Sequence, residues 1–152
     1  MKTIKELKNG KSTFLGFVDI INVISDFEEI YISSEDYHSY KSKYDNVEYF
    51  IEKKLEMEAA LKSNKYKNIH IVLAYYLYED YSGEAFVLFI KGRTLYEVNA
   101  FHCSCYRLED QWKPEKTSLL AIKHRLKEGT LGMDSYDEDR YNSKLKSILG
   151  IK

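Results

Sequence analysis

The N-terminal part of the chain alternates between apolar clusters and polar stretches. Residues 2–9 predict a short helix that ends at Gly10, and residues 13–24, which are rich in Phe, Val and Ile, predict a strand. Residues 33–44 are polar and predict a loop or an irregular helix. This region therefore predicts one helix and one strand before the first long element.

A long helix is predicted to begin at Asp45, because Glu48 stands three residues later as in a capping box. Asn64 is a suitable residue to end it. Its apolar positions recur at helical spacing and predict a broad buried face. That face comprises Val47, Phe50, Ile51, Leu55, Ala59 and Leu61.

Two strands and a hairpin turn are predicted in the middle of the chain. Residues 68–79 are β-branched or aromatic, and residues 84–90 (EAFVLFI) are apolar on both faces, as in a central strand. Gly92 and Arg93 predict a two-residue hairpin turn. The resulting register pairs apolar residues on one face. These pairs are Phe89 with Tyr96, Val87 with Val98, and Ala85 with Ala100.

The hairpin register has a functional implication. It places Gly83 opposite His102, so the sequence HCSC begins where the hairpin ends. Residues at the loop ends of a rigid sheet commonly carry function. We therefore take HCSC as the first candidate for chemistry in this chain.

The remaining elements complete an α+β pattern. Thr117 or Ser118 caps a predicted helix that ends at Gly129, and a last helix is predicted from about residue 138 to 149. We expect a single α+β domain over residues 1–152, with an antiparallel sheet of three to four strands and helices packed on it. Within it we distinguish an N-terminal half, an HCSC-containing module and a C-terminal helix, over residues 1–66, 67–132 and 137–149.

Charge and hydropathy argue against several classes of protein. The net charge is −1, which argues against a protein that neutralises phosphates over a large surface, and equally against an acidic mimic of DNA. No apolar stretch approaches the roughly 18 residues of a membrane span, and the N-terminal segment lacks the pattern of a signal peptide. We therefore expect a cytoplasmic protein, in which thiols stay reduced.

HCSC holds both cysteines of the chain, and a metal site is one interpretation. A disulfide is disfavoured, because the short spacing of Cys103 and Cys105 strains its geometry. Zinc prefers four tetrahedral nitrogen or sulfur ligands. The candidate ligands are His102, Cys103, Cys105 and His124. His70, on a neighbouring strand, would replace His102 if the segment stays extended.

Two other interpretations of HCSC stay open. A cysteine acting as nucleophile would take His102 or His124 as its base, and Arg107 is the nearby cation that would favour the thiolate. Alternatively, the cysteines are small apolar residues of the core. No known catalytic motif is present, so we expect a non-enzymatic protein, with a small metal- or thiol-dependent enzyme as the rival.

Acidic and aromatic residues are concentrated between residues 26 and 45. Such a stretch is either a solvated face or a docking surface. Tyrosine favours docking, because it offers a large rigid contact area with a polar tip. The candidate partner-binding residues are Asp26, Glu28, Glu29, Glu35, Asp36, Tyr37, Tyr40 and Tyr44.

The segment from Tyr81 to Gly132 resembles a module that recurs in phages and prophages. It matches a strand–turn–strand, then HCSCYxLExQW, then a helix containing HRL, over about a third of the chain. The chain departs from this module at Ala100 and Phe101, where smaller residues are usual, and at Arg107, where glycine is usual. These departures argue against a tight turn at this place.

The resemblance implies an accessory gene product of a phage rather than a virion component. Many such products bind and disable a host defence complex, the anti-CRISPR proteins among them. The implied protein is an inhibitor in the host cytoplasm, with a type II CRISPR nuclease as candidate target, no direct nucleic acid and no membrane partner. Its acidic, tyrosine-rich stretch would dock on the basic nucleic-acid channel of the nuclease.

Overall fold

The computed structural model describes residues 1–39, 47–79, 81–103 and 105–152. Within these ranges the chain forms a sheet of five strands, which neighbour one another in chain order. The strands are β1 (Thr13–Leu15), β2 (Ile69–Tyr78), β3 (Ser82–Lys91), β4 (Thr94–Cys103) and β5 (Glu115–Thr117). β1 is parallel to β2, and every other pair of neighbours is antiparallel.

The predicted α+β class is confirmed, but the predicted sheet is wrong in two respects. The sheet has five strands in the described residues rather than three to four, and it is mixed rather than antiparallel. The additional strand is β5, whose three residues are too few to show an alternating pattern. The mixed character comes from β1, which lies within the strand predicted over residues 13–24 but pairs parallel to β2.

Helices cover both faces of the sheet. They are α1 (Ile4–Lys8), α2 (Ile20–Glu28), α3 (Ser34–Tyr37), α4 (Val47–Lys62), α5 (Leu119–Glu128) and α6 (Asn142–Leu149). One face packs against apolar residues of α2 and α4, and the opposite face packs against those of α1, α5 and α6. None of the described helices is long and apolar enough to cross a membrane.

Residues 13–24 form a short strand and part of a helix instead of the predicted single strand. Gly16 has a left-handed backbone with φ of 84°, and a Cβ atom there would lie 1.8 Å from the carbonyl oxygen of Tyr76. Asp19 then caps α2 by accepting the backbone N–H of Asn22 at 3.1 Å. The buried residues of α2 recur at helical spacing, which the strand prediction overlooked. They are Ile21, Val23, Ile24 and Phe27.

The predicted face of α4 is also wrong. Phe50 and Met57 are buried, whereas Val47, Ile51 and Leu55 are exposed. The helix therefore presents a narrower and rotated apolar stripe to the sheet. The capping box expected from Asp45 lies outside the described residues.

Several local predictions are confirmed. The helix over residues 2–9 is present as α1, and Ser118, rather than Thr117, caps α5 by accepting the backbone N–H of Ala121 at 3.1 Å. Gly129 ends that helix in the left-handed conformation. The last helix begins later than expected, at Asn142. The hairpin register holds at each predicted pair, including Gly83 opposite His102.

An ion pair ties α5 to the sheet. Glu97 is buried on β4, and its carboxylate accepts Arg125 Nη1 at 2.7 Å and Asn99 Nδ2 at 2.9 Å. A buried carboxylate needs such partners, because its desolvation is otherwise uncompensated. The pair therefore contributes to the position of α5 on this face.

We expect Arg125→Met to lower the free energy of unfolding by about 2 kcal/mol, because the buried Glu97 carboxylate loses its charged donor. Urea unfolding followed by circular dichroism measures this change. Lys127→Met, on an exposed position of the same helix, is the matched control and should change stability by less than about 0.5 kcal/mol. Equal losses in the two variants would contradict a stabilising role for the pair.

Candidate functional site

The chain folds back on itself immediately after β4. The backbone N–H of Cys103 donates to the carbonyl oxygen of Tyr106 at 3.2 Å, so the chain reverses between these residues. The Gln111 side chain accepts the N–H of Phe101 at 3.0 Å. It donates to the carbonyl oxygens of Phe101 at 2.8 Å and of Arg107 at 2.7 Å. These contacts hold Tyr106 and Gln111 beside the end of β4. The turn itself includes Ser104, which lies outside the described residues, so the expectation about a tight turn stays a prediction.

Trp112 anchors the end of this returning segment in the core. Its ring centroid lies 5.0 Å from that of Phe27, 4.8 Å from that of Tyr66 and 5.4 Å from that of Phe89. Leu108 is fully buried in the same apolar cluster. The HCSC region is consequently held against the face of the sheet that α2 covers.

His102 is the buried centre of the region, with an exposed fraction of 4%. Its Nδ1 atom lies 3.1 Å from the hydroxyl of Tyr76, and its ring stacks on Tyr78 with centroids 4.7 Å apart. Its Nε2 atom has no hydrogen-bond partner among the described residues. Because an unpaired buried polar atom is unfavourable, a polar atom of a ligand would be stabilised at this nitrogen.

Gly83 makes the stack of Tyr78 and His102 possible. It is the residue of β3 that pairs with both of them. A Cβ atom at Gly83 would lie 2.2 Å from Cε1 of His102 and 2.1 Å from the carbonyl oxygen of Leu77. Both distances are shorter than any van der Waals contact, so any side chain at this position would clash and only glycine fits without a shift of its neighbours.

An open cleft of about 580 Å³ lies between α2 and the HCSC region. We call it the tyrosine cleft, because four of its lining residues are Tyr31, Tyr78, Tyr81 and Tyr106. His102, Cys103 and Cys105 line it from β4 and the chain that follows. Its charged lining residues are Asp26, Glu29, Arg107 and Glu109.

The charges of the cleft act on each other. Burial raises the pKa of the Asp26 carboxyl, and the electrostatic effects of Arg107 and then of the His102 ring oppose part of that rise. Burial, together with the charge of Asp26, raises the pKa of Tyr76 to about 12. The Tyr76 hydroxyl therefore stays protonated beside His102 at neutral pH. The guanidinium carbon of Arg107 lies 5.8 Å from the centre of the Tyr78 ring, within range of a cation–π contact.

Comparison of the chain with protein-family models, with curated proteins and with solved structures finds no match. Function therefore has to follow from the chemistry of the cleft and from the resemblance to the phage module.

Three of the four predicted zinc ligands lie in the tyrosine cleft, and the fourth does not. His124 is exposed on α5, which packs on the opposite face of the sheet from His102. His70 lies near the start of β2, whereas Tyr78, which lines the cleft, is the last residue of that strand. Since a strand rises about 3.3 Å per residue, His70 is about 26 Å from Tyr78 along the strand. Within the described residues no three His, Cys, Asp or Glu side chains are grouped so that they could hold a metal. Zinc at HCSC stays a prediction, and these residues do not assemble its four ligands.

The predicted partner-binding residues separate into different environments. Asp26 and Glu29 line the tyrosine cleft. Glu28 is engaged within the fold, where it accepts Lys65 Nζ at 2.9 Å and the Tyr66 hydroxyl at 2.7 Å. Asp36 is buried, Tyr37 is half-buried against the core, and Glu35 is exposed outside the cleft lining. Tyr40 and Tyr44 lie outside the described residues.

Several residues of the cleft were not identified from the sequence. Tyr31 lies between two elements, and Tyr78 and Tyr81 flank the turn that precedes Gly83. Tyr78 and Tyr81 belong to a tyrosine-rich strand and turn, where aromatic residues are expected simply because they suit a pleated surface. The predicted register already implied that this turn lies beside HCSC. That position is the signal from which both tyrosines could have been identified as cleft residues.

We expect Gly83→Ala to lower the free energy of unfolding by about 2–3 kcal/mol, because the added methyl group collides with the Leu77 carbonyl and the His102 ring. Chemical unfolding measures the loss. Gly10→Ala is the matched control, since a Cβ atom there meets its nearest neighbour at an ordinary 3.4 Å. If Gly83→Ala is as stable as Gly10→Ala, the rings do not stack over this glycine.

We expect His124→Ala to leave the metal content of the purified protein unchanged, because its side chain is exposed on the helix across the sheet from HCSC. Mass-spectrometric elemental analysis measures the metal per chain. Cys103→Ser and Cys105→Ser are the comparison variants, and zinc lost in these two alone would place the metal in the cleft. Stoichiometric zinc that disappears on His124→Ala would contradict the placement of this residue and restore the four-ligand set.

Proposed function

We propose that this protein is a phage-encoded inhibitor that binds a host defence protein, with a type II CRISPR nuclease as candidate target. The tyrosine cleft is the surface that receives a basic segment of this partner. The phage origin and the class of target rest on the resemblance of residues 81–132 to the phage module. The binding surface rests on the cleft, whose exposed tyrosines and excess of carboxylates are the observation that carries the proposal.

The aromatic rim of the cleft is unusually exposed. The exposed fractions of Tyr31, Tyr78 and Tyr81 are 66%, 58% and 78%. Tyrosines of this kind lose little conformational entropy on binding and contribute a large contact area, so they are enriched where partners dock. Their rings also attract lysine and arginine side chains through cation–π contacts.

The charge of the cleft selects a basic partner. Three carboxyl side chains, those of Asp26, Glu29 and Glu109, line the cleft together with one guanidinium, that of Arg107, so acidic side chains outnumber basic ones there. Negative charge around aromatic rings complements a lysine- or arginine-rich protein surface and opposes the binding of nucleic acid itself. A nuclease channel that binds guide and target strands is such a surface.

Both halves of the chain contribute to this surface. Asp26, Glu29 and Tyr31 come from the N-terminal half, whereas Arg107 and Glu109 come from the HCSC-containing module. Variation in the N-terminal half would then change the acidic wall of the cleft while the module keeps its shape. This division is consistent with a common scaffold whose first half provides specificity.

We expect Tyr31→Ala with Tyr81→Ala, and separately Glu29→Lys, to weaken binding to a guide-loaded type II CRISPR nuclease by at least about tenfold. The tyrosine variant removes contact area, and the Glu29 variant places a positive charge against a basic surface. Biolayer interferometry measures the dissociation constant, and a DNA-cleavage assay measures inhibition. Binding of the unaltered chain should also weaken as salt concentration rises.

Glu35→Lys is the matched control, because it makes the same charge change at an exposed position outside the cleft lining. It should leave the affinity within about twofold, a difference of about 0.4 kcal/mol. Equal weakening by Glu29→Lys and Glu35→Lys would show that overall charge, not the cleft, controls binding. Absence of binding by the unaltered chain would remove this nuclease as the target.

A small metal- or thiol-dependent enzyme is the second candidate. The observation in its favour is that His102, Cys103 and Cys105 line one cleft. The two functions separate in Cys103→Ala and Cys105→Ala. In an inhibitor, these variants remove only two small side chains from the wall of the cleft, so they should weaken binding to the nuclease less than Tyr31→Ala with Tyr81→Ala does, provided they fold as the unaltered chain does. A folded variant that loses a measured turnover would favour the enzyme.

A further inference from the structure

The guanidinium of Arg107 lies at the wall of the tyrosine cleft, beside one of its exposed rings. The guanidinium carbon is 5.8 Å from the centre of the Tyr78 ring, and 58% of Tyr78 is exposed. The backbone of Arg107 is held at both ends. Its N–H donates to the Glu109 carboxylate at 2.9 Å, and its carbonyl oxygen accepts Gln111 Nε2 at 2.7 Å. The free chain therefore already accommodates a guanidinium at a defined place in the cleft.

This guanidinium is held weakly. The Arg107 side chain is exposed, and within the described ranges its guanidinium takes part in no ion pair or hydrogen bond. By contrast, the guanidinium of Arg125 donates to the buried Glu97 carboxylate at 2.7 Å. A single exposed cation–π contact is weak, and exposed side chains change rotamer within nanoseconds. The Arg107 side chain can therefore leave the ring while its backbone stays in place.

Two carboxyl groups lie in the same cleft. Asp26 and Glu29 line it from the end of α2 and the residue that follows. Asp26 accepts one long hydrogen bond, from Asn22 Nδ2 at 3.4 Å. A carboxylate offers about four lone-pair sites, so Asp26 can accept further N–H donors. Carboxylates alone attract any cation, whereas the guanidinium beside Tyr78 indicates which cation fits this cleft.

We propose that the tyrosine cleft binds an arginine side chain of the partner, and that this arginine takes the place beside Tyr78 that Arg107 occupies in the free chain. The inference rests on the proposed docking of a basic partner, and it names the side chain that the cleft selects. The incoming guanidinium stacks on Tyr78 and donates to Asp26 and Glu29. Arg107 is therefore an internal competitor, which has to turn away before the partner binds.

Arginine suits these surroundings better than lysine. Its planar guanidinium stacks on an aromatic face and donates to two carboxylate oxygens at once. It is also less strongly hydrated than an ammonium group, so less hydration is lost on binding. A lysine side chain supplies the same charge without the planar contact. The cleft should therefore distinguish two partners of equal charge.

Short peptides test this preference in the absence of a nuclease. The isotope-labelled full-length protein is titrated with a glycine–serine peptide that carries two arginines, and separately with the same peptide carrying two lysines. Nuclear magnetic resonance shifts give each dissociation constant and locate the residues affected. We expect the arginine peptide to bind at least about threefold more tightly, the effect of one exposed cation–π contact, with shifts at Tyr78 and Tyr81.

Arg107→Gln tests the displacement. Removal of the resident guanidinium should strengthen binding of the arginine peptide at least about threefold, because nothing then competes with the peptide for Tyr78. Arg93→Gln is the matched control, since it makes the same substitution at an exposed position outside the cleft lining. It measures the effect of one lost positive charge far from the cleft, which should be less than about twofold at physiological salt.

Tyr78→Leu tests the ring on which the guanidinium stacks. It should weaken binding of the arginine peptide at least about threefold and remove its preference over the lysine peptide. Tyr136→Leu removes a ring that is 85% exposed and outside the cleft lining, so both affinities should stay as they are. Tyr78 also stacks on His102, so circular dichroism is used to check the fold of this variant. If it does not fold, the other two comparisons decide.

Either of two results would overturn the proposal. One is equal affinity for the arginine and lysine peptides. The other is an affinity of Arg107→Gln for the arginine peptide that is no higher than that of Arg93→Gln. A nuclease that fails to bind the unaltered chain would remove the proposed target and leave this inference intact, because the titrations contain no nuclease. Conversely, nuclease binding without a preference between the peptides would refute this inference alone.

Discussion

The stack of Tyr78 and His102 over Gly83 is the contact on which the tyrosine cleft depends. Adjacent strands are about 4.8 Å apart, so side chains two strands apart meet only where the residue between them lacks a side chain. Gly83 satisfies that condition, and the ring centroids of its two partners lie 4.7 Å apart. The Tyr76 hydroxyl holds His102 through Nδ1. Because His102 is held in this way, Cys103 leaves the sheet at a defined place.

The segment after Cys103 is shaped by residues that the HCSCYxLExQW motif shares. Gln111 supplies three hydrogen bonds to backbone groups, and Leu108 and Trp112 bury their side chains under α2 and β3. The positions of the leucine, glutamine and tryptophan in the motif are therefore explained by packing and hydrogen bonding, without any catalytic role.

The cleft contains several groups that are energetically unfavourable unless a ligand or a partner contacts them. A buried imidazole nitrogen lacks a partner among the described residues, a half-buried carboxyl has a raised pKa, and large aromatic side chains are exposed to water. Each feature costs stability in an isolated chain. A basic partner that covers the tyrosines and neutralises Asp26 and Glu29 would reduce these costs, which is the physical basis of the proposed binding.

Local sequence determined the α+β class, the hairpin register, the helix cap at Ser118 and the position of HCSC at the end of a strand. These features depend on turn residues and on the pattern of apolar positions, which are properties of residues close together in the chain. Tertiary structure decided what has no local pattern. The edge strand β5 has only three residues, and α2 was hidden in a run whose apolar residues also suit a strand. The parallel pairing of β1 with β2 joins residues about 60 positions apart in the sequence. The approach of Asp26 to His102, and the separation of His124 from HCSC, depend on which face of the sheet each helix covers. Only the packed chain specifies that choice.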